Sequence, residues 1–446
     1  MAQQKTYSGK IFRAAVLGGS ISGLMSTLVL AKLGFKVALY EKRSEYNRKV
    51  QWGVRQSFIN YLASIDNDIA KKFKSISSNI CNDYRFLTDK CSLYKEGAYL
   101  HQQRNSPSDG AYVEQDLSGK ETLGEEIVCL VPAKDLEKLL FKEVNRLKAV
   151  TIYRKESPQV KYEDSTGAYS LIEDEGAASY DLIVVCEGAA SQTRDAVGIS
   201  SMALSRPVAQ VSGQADLKRY GMIIERLHNI QHEDVPKEGL LLSLLISTDR
   251  RKASWIVGDI SSECLAKLND NPDSSKEESI VAEEFRRVAA RTMFTAEAEI
   301  VEARYQGVVQ KLKRFDLQAK ISNKAMAGNN LVLAGDAVGV GHWSVGGGMH
   351  VAGVCHISRL KVLASALKDS SDRQSALQKY NDGVLADTIA WISRGIKDYY
   401  LTVPRNALEA VFNKLIEELM KDNTIDFPKE LKGRVASVFF GDSPVN

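Results

Sequence analysis

Residues Ala14 to Arg43 read AAVLGGSISGLMSTLVLAKLGFKVALYEKR. Ala14, Ala15, Val16 and Leu17 predict an apolar strand, and Gly18, Gly19, Ser20, Ile21, Ser22 and Gly23 a turn. An amphipathic helix to about Leu33 follows, Gly34 caps it, and a second strand from Lys36 to Tyr40 ends on Glu41. This is the start of a βαβ unit. Its turn lets a pyrophosphate sit on the helix N-terminus, where unpaired N–H groups and the helix dipole favour an anion. Glu41 is placed to accept hydrogen bonds from an adenosine ribose. Ser20 stands where such turns usually carry a middle glycine, so the pattern is GxSxxG. A Gly/Ser turn alone is weak evidence, but strand, helix and acidic strand end agree here on a dinucleotide site.

The chain is 446 residues long, enough for two or three domains with sizeable cores. With 59 basic against 56 acidic residues the formal net charge is +3, which offers no electrostatic case for nucleic acid. No window approaches 18 uninterrupted apolar residues and the first 13 residues lack the apolar run of a signal peptide, so a cytoplasmic protein with no membrane span is expected. Cysteines 81, 91, 129, 186, 264 and 355 are scattered without a CxxC pair. They read as buried small apolar residues in a reducing compartment, not as disulfides or zinc ligands. The six histidines show no ligand spacing, and no metal is expected.

Beyond the first unit, a polar loop leads into a helix from about Gln56, with Arg43, Arg48 and Arg55 able to approach a bound cofactor or substrate. Residues 66–124 are polar and irregular. They carry strand-like pieces near 84–87 and 98–101, and their loop at 105–124 has turn chemistry throughout. Apolar residues at Leu136, Leu139, Leu140, Val144 and Leu147 predict a helix with Pro132 near its start. A strand at Val150 to Tyr153, a hairpin and the buried strand DLIVV from Asp181 come next. Residues 200–305 alternate like an antiparallel sheet with one long helix, as expected of a second domain inserted into the first. Leu331 to Ala334 forms the last buried strand, a helix runs to about Leu367, and 374–446 is mostly helical and polar.

The stretch NLVLAGDAVGVGHWSVGGGMHVAG is a second constellation. Its strand delivers Gly335 and Asp336 at the C-terminal edge of the sheet, where open α/β sheets bind ligands. Asp336 can accept a hydrogen bond from a polyol hydroxyl. Gly346, Gly347 and Gly348 open a helix whose N–H groups face the same crevice. There they would stabilise negative charge on a reduced flavin ring.

With GGSISG at 18–23, CEGAASQTR at 186–194 and GDAVGVGHWSVGGGM at 335–349, the chain resembles the FAD-dependent aromatic hydroxylases of the para-hydroxybenzoate hydroxylase type, the group A flavoprotein monooxygenases. The resemblance spans about residues 10 to 367. It implies an α/β architecture: a Rossmann-like FAD-binding domain (10–75, 125–200 and 306–367), an inserted antiparallel-sheet substrate domain (76–124 and 201–305) and a helical C-terminal segment (368–446). Gly18, Ser20 and Gly23 would line the FAD pyrophosphate with Gly19 and Ser22, Glu41 would bind the ribose, and Lys42 and Arg43 would lie beside it. Lys134 would contact the ribityl-phosphate side, Asp336 the ribityl chain, and Gly346, Gly347, Gly348 and Met349 the flavin ring. Glu187 replaces the family's usual Asp and Ala190 its usual Arg in the motif that serves both FAD and NADPH. His342 stands where the family has proline and is the candidate proton donor or substrate contact, and His350 stands where it often has asparagine.

The implied activity is insertion of one oxygen atom from O2 into an electron-rich aromatic or alkene through a flavin C4a-hydroperoxide, with NADH or NADPH as reductant, by a monomer or homodimer. An FAD-dependent reductase or desaturase of the geranylgeranyl-reductase type is the alternative, favoured by the GGGM sequence. A non-enzymatic binder of the Rab-escort kind would not need Asp336 or the flavin-ring helix. Trp52, Trp255, Trp343 and Trp391 never form the WxWxIP signature of tryptophan halogenases.

Overall fold

The computed structural model describes residues 10–48, 50–79, 102–103, 112–113, 127–173, 176–204, 208–215, 221–226, 242–247, 254–271, 274–293, 310–341, 347–369 and 372–399. The strand-like pieces at 84–87 and 98–101, most of the 105–124 loop, Cys81, Cys91, His342, Trp343, Gly346 and the tail with Phe439 and Phe440 lie outside these residues.

The opening unit forms as its pattern requires: β1 (Arg13–Leu17), α1 (Ile21–Lys32) and β2 (Lys36–Tyr40). Ala14 to Leu17 are wholly buried, which suits a central strand covered on both faces. Helix α1 is buried along its length from Ile21 to Leu30, so it lies inside the domain and not on its surface. Then come β3 (Gln51–Arg55), α2 (Gln56–Ile65), α3 (Asn67–Ile76), β4 (Ser78–Asn79) and the short pair β5 (Gln102–Gln103) and β6 (Tyr112–Val113). Strand β7 (Ile127–Pro132) pairs antiparallel with β3 and β4 and runs directly into α4 (Ala133–Asn145).

Strand β8 (Val150–Tyr153) joins β2 in parallel, and β9 (Gln159–Glu163), β10 (Ala168–Glu173) and β11 (Gly176–Ser179) make an antiparallel layer. The apolar run β12 (Leu182–Val185) then pairs in parallel with β1. After α5 (Gln192–Ala196) and β13 (Ser201–Ala203), the chain enters a separate five-stranded antiparallel sheet. Its strands are β14 (Val208–Ala215), β15 (Gly221–Arg226), β16 (Leu242–Ser247), β17 (Ser254–Asp259) and β18 (Gln310–Leu317), in the order β15-β16-β17-β14-β18. Helices α6 (Ser262–Asp270) and α7 (Ser274–Met293) connect the last two. Buried Glu284 of α7 accepts from the Ser261 N–H at 2.7 Å and its hydroxyl at 3.1 Å, which locks the start of α6. The pairing of β18 with β14 carries this sheet past residue 305.

The chain returns through β19 (Lys320–Ser322), β20 (Met326–Ala327) and β21 (Leu331–Leu333). The main sheet thereby has the order β20-β21-β12-β1-β2-β8, parallel except for β20. Asn330 fastens the hairpin layer to it, donating to the carbonyls of Tyr169 (2.8 Å) and Tyr180 (2.9 Å) and accepting from the Tyr169 N–H (2.7 Å). A 3-10 turn over Gly335–Ala337 and β22 (Gly339–Val340) precede a continuous helical run. That run comprises α8 (Gly347–His350), a π-helical turn over Val351–Cys355 and α9 (His356–Lys368). Helix α10 (Arg373–Tyr399) looks polar in sequence, yet it buries Leu377, Tyr380, Val384, Leu385, Ile389, Trp391 and Ile392. It also caps the end of the sheet: the Tyr380 hydroxyl donates to Leu333 O at 2.8 Å, and Asn381 Oδ1 accepts from Ala325 N at 2.7 Å. Among the described residues no helix is long and apolar enough to cross a membrane.

Candidate cofactor site

Gly18 and Gly23 determine how tightly the first turn folds. A Cβ on Gly18 would stand 2.5 Å from Cys186 O at the end of β12, and one on Gly23 would overlap Gly18 O. Only glycine allows strand, turn and helix to approach this closely. Helix α1 has no side-chain cap and no acidic residue in its first turn, which leaves its N-terminus suited to an anion. The Ser20 hydroxyl turns away from that end and donates to Glu137 Oε1 at 2.7 Å.

Glu41 is 3% exposed and works inside the protein as an acceptor. Its Oε2 takes the Gly19 N–H (2.9 Å) and Arg43 Nη2 (2.7 Å), while Oε1 takes Arg43 N (2.8 Å) and Nε (3.0 Å). Burial by itself would raise this carboxyl's pKa; the hydrogen bonds and charge of Arg43, with the Gly19 amide, outweigh it and hold the pKa below normal. Arg43 also reaches Glu137 Oε1 at 3.3 Å and lies 4.9 Å over the Tyr46 ring, whose hydroxyl donates to Gly19 O at 2.9 Å. Glu137 has no exposure and its second oxygen has no hydrogen-bond partner. Sequence reasoning passed over it, although an acid set inside the apolar stripe of Leu136, Leu140 and Val144 is a readable signal. Lys134, by contrast, is exposed beside the buried face formed by Ala133, Leu136 and Glu137, and does not line the cleft.

At the far end, β21 stops at Leu333 and Ala334 still donates to Val185 O at 2.9 Å. The next donor, Gly335 N, is taken by His356 Nδ1 at 2.9 Å. Gly335 has φ +65°, and a Cβ there would overlap Ser22 Oγ, so the residue must be glycine for this turn to meet α1. Asp336 follows and faces the cleft. Its side chain is open to the cleft, but the protein walls around it raise its pKa by desolvation, with Arg48, which also lines the cleft, acting in the opposite sense. His356 Nε2 lies 3.0 Å from Thr388 Oγ1, and burial depresses the imidazole pKa to about 4. His350 Nδ1 lies 3.0 Å from Ser57 Oγ. Trp391 packs so closely on Gly341 and Gly347 that a Cβ on Gly341 would stand 2.8 Å from its ring and one on Gly347 would overlap it. The glycines at 347 and 348 therefore accommodate an indole from α10 as well as opening α8.

The middle motif is folded back on itself. Glu187 Oε2 accepts from Ser191 Oγ (2.7 Å) and Thr193 N (3.0 Å), and Oε1 from Thr193 Oγ1 (2.9 Å), which ties down the start of α5, whose N-cap Ser191 accepts from Arg194 N at 3.1 Å. Buried Arg194 donates to Ala189 O at 3.0 Å and Ala337 O at 3.5 Å, joining this motif to the segment after Asp336. Ala190 is exposed.

A single cleft of about 850 Å3 connects these parts. Gly18, Gly19, Ser20, Ser22, Glu41, Lys42, Arg43, Asp336, Gly348 and Met349 line it, as do Trp52, Glu187 and Trp391. Gly23 and Gly347 shape it from behind, and Lys42 pairs with Glu156 at 3.5 Å on its rim. Volume, anion-ready helix end, the acid at the end of β2 and cleft-facing Asp336 together fit a dinucleotide of FAD size. Cys129, Cys186 and Cys264 are buried thiols and Cys355 is half-buried; burial pushes Cys186 up to about 12 and Cys355 likewise to about 12, so neither of these two is poised as a nucleophile. Among the described residues no group of His, Cys, Asp and Glu could hold a metal ion.

A family model described as an FAD binding domain matches residues 12–385. No curated protein matches the sequence. Among solved structures, the tetrameric form of 2-methyl-3-hydroxypyridine-5-carboxylic acid oxygenase aligns with a TM-score of 0.60 at 15% identity, over 87% of this chain and 91% of that one. The p-nitrophenol 4-monooxygenase PnpA from Pseudomonas putida aligns at 0.58 and 15%, over 97% and 99%. The flavin-dependent halogenase CmlS aligns at 0.59 and 12%, over 87% of this chain and 64% of its own. At these identities the likeness is one of fold.

Proposed function

The chain belongs to the FAD binding domain family, and from that premise we propose that it is an FAD-dependent monooxygenase acting on an electron-rich aromatic or alkene small molecule. The observation that carries this reading is the continuous cleft that runs from the Gly18–Ser22 turn and Glu41 to Asp336 and Gly348. When bound, FAD supplies the two-electron redox chemistry with NAD(P)H and O2. In this reading the α1 N-terminus holds the pyrophosphate, Glu41 exchanges one of its bonds from Arg43 for an adenosine ribose hydroxyl, and Asp336 accepts from the ribityl hydroxyls. The helical run that starts at Gly347 places backbone N–H groups where negative charge develops. Trp391, Met349 and Ala352 give the cleft an apolar wall that keeps water from the reacting atoms.

Glu187 uses both oxygens on Ser191 and Thr193, so the nicotinamide reductant is assigned on the need for electrons, not on a residue contact. The named substrates of the pyridine oxygenase and the nitrophenol monooxygenase are hydroxylated aromatic rings, which supports a phenol-like substrate. The division into a discontinuous FAD domain, an inserted substrate domain and a C-terminal segment belongs to the same proposal, with the insertion's last strand ending at Leu317.

The test is NADH and NADPH oxidation by the FAD-loaded protein under air against a library of phenols, indoles and polyketide-like aromatics. Substrate-accelerated oxidation with a product one oxygen heavier is the expected result. Electron transfer to a substrate with no oxygen gained would replace the monooxygenase by a reductase.

A further inference from the structure

The N–H of Gly335 is the first donor past β21 that the sheet does not take, and the protein meets it with a side chain. His356 supplies the acceptor at 2.9 Å, is 1% exposed, and hydrogen-bonds through its other nitrogen to Thr388 of α10 at 3.0 Å. The Thr388 hydroxyl itself donates to Val384 O at 2.8 Å, so it can only accept from His356. That forces the tautomer: the proton sits on Nε2, and Nδ1 is left to accept from Gly335. The π-helical turn over Val351–Cys355 contributes the register. It lets Met349 and Ala352 line the cleft while His356, a few residues on, faces Gly335.

We propose that His356 is a positioning residue of the cofactor site: by receiving Gly335 N–H while anchored to Thr388, it fixes the turn that presents Asp336 to the cleft. Thr388, on α10, sets the imidazole's tautomer through this bond. This rests on the reading of the cleft as the FAD site.

Two variants separate positioning from packing. In His356→Asn the amide oxygen takes the place of Nδ1 and keeps the Gly335 bond while losing Thr388. In His356→Gln the amide nitrogen takes the place of Nε2 and keeps Thr388 while losing the acceptor for Gly335. Each deletes one hydrogen bond, and urea midpoints of the two variants measure the structural cost separately from the effect on FAD affinity. FAD dissociation constants of the apo-proteins, read from quenching of flavin fluorescence, should stay within about threefold of wild type for Asn and weaken about tenfold for Gln. Equal effects on the two variants, or no effect on either, would overturn the assignment. Wild type that binds no FAD would instead sink the functional reading beneath it. Should the Gln variant not fold, His356→Ala against His356→Asn gives the same test: affinity is expected to fall about tenfold with Ala and to return to within about threefold of wild type with Asn, and equal affinities would overturn the proposal.

Discussion

Acid should destabilise this protein in a window set by one imidazole. His356 has a pKa near 4 in the folded chain against an ordinary 6.5, chiefly because burial disfavours the charged ring; Asp387 pulls it upward and Arg359 downward. Above pH 6.5 the ring is neutral both folded and unfolded and contributes no pH dependence. As pH falls from 6.5 to 4 the unfolded chain takes up a proton that the native state refuses, so native stability falls. The gap of two to three pKa units, at about 1.4 kcal/mol each, is worth about 3 kcal/mol by pH 4. Below pH 4 both states are protonated and the loss levels off. The buried carboxylate Glu41 has a lowered pKa, so its contribution is present above the ordinary carboxylate pKa and is lost only as pH falls below it. Urea unfolding of wild type and His356→Asn, at intervals from pH 7.5 to 4, isolates the imidazole because asparagine does not titrate. The wild-type minus variant stability should shrink by about 3 kcal/mol across that range. Parallel curves would refute the buried neutral imidazole, and with it the tautomer on which the Gly335 contact depends.

Gly23→Ala places a carbon inside Gly18 O and should abolish FAD binding while costing at least about 3 kcal/mol of stability, measurable by urea midpoint and flavin titration. Glu41→Gln keeps one acceptor but loses the charge that holds Arg43; FAD affinity should fall roughly tenfold, and affinity within twofold of wild type would remove Glu41 from the ribose site. Glu187→Ala removes the acceptor of the Thr193 N–H in the first turn of α5, which Ser191 still caps, and should lower stability by about 1 kcal/mol in the same urea assay. Trp391→Ala opens a void beside Gly341 and Gly347 and should cost about 3 kcal/mol, with the flavin spectrum shifting toward that of solvent-exposed flavin; an unchanged spectrum would take the indole out of the flavin wall.

What the sequence could reveal was decided by how local each feature is. The strand, turn and helix from Arg13 to Lys32 are contiguous, and their apolar pattern and glycines state the geometry directly. Asp336 was legible because a buried strand delivers it to the sheet edge. Glu137 meets Ser20 across 117 residues of chain, and nothing near either residue announces the other. His356 sits in a helix whose register is changed by a π turn that side-chain period does not encode, so it read as one more scattered histidine. The apolar stripe of α10 is interrupted by enough charge to look polar, and only its packing on Leu333, Ala325 and the glycines of the cleft shows what it does. Lys134 illustrates the reverse: one residue of helical rotation separates it from the inward face of α4.

The central claim is that the cleft between the Gly18–Ser22 turn and Asp336 is an FAD site, and the absorption spectrum of the purified protein tests it most directly. Bands of bound flavin in the near ultraviolet and blue, at about one FAD per chain after reconstitution and lost in Gly23→Ala, are the predicted result. A wild-type chain that carries no flavin and takes none up from added FAD would contradict the account.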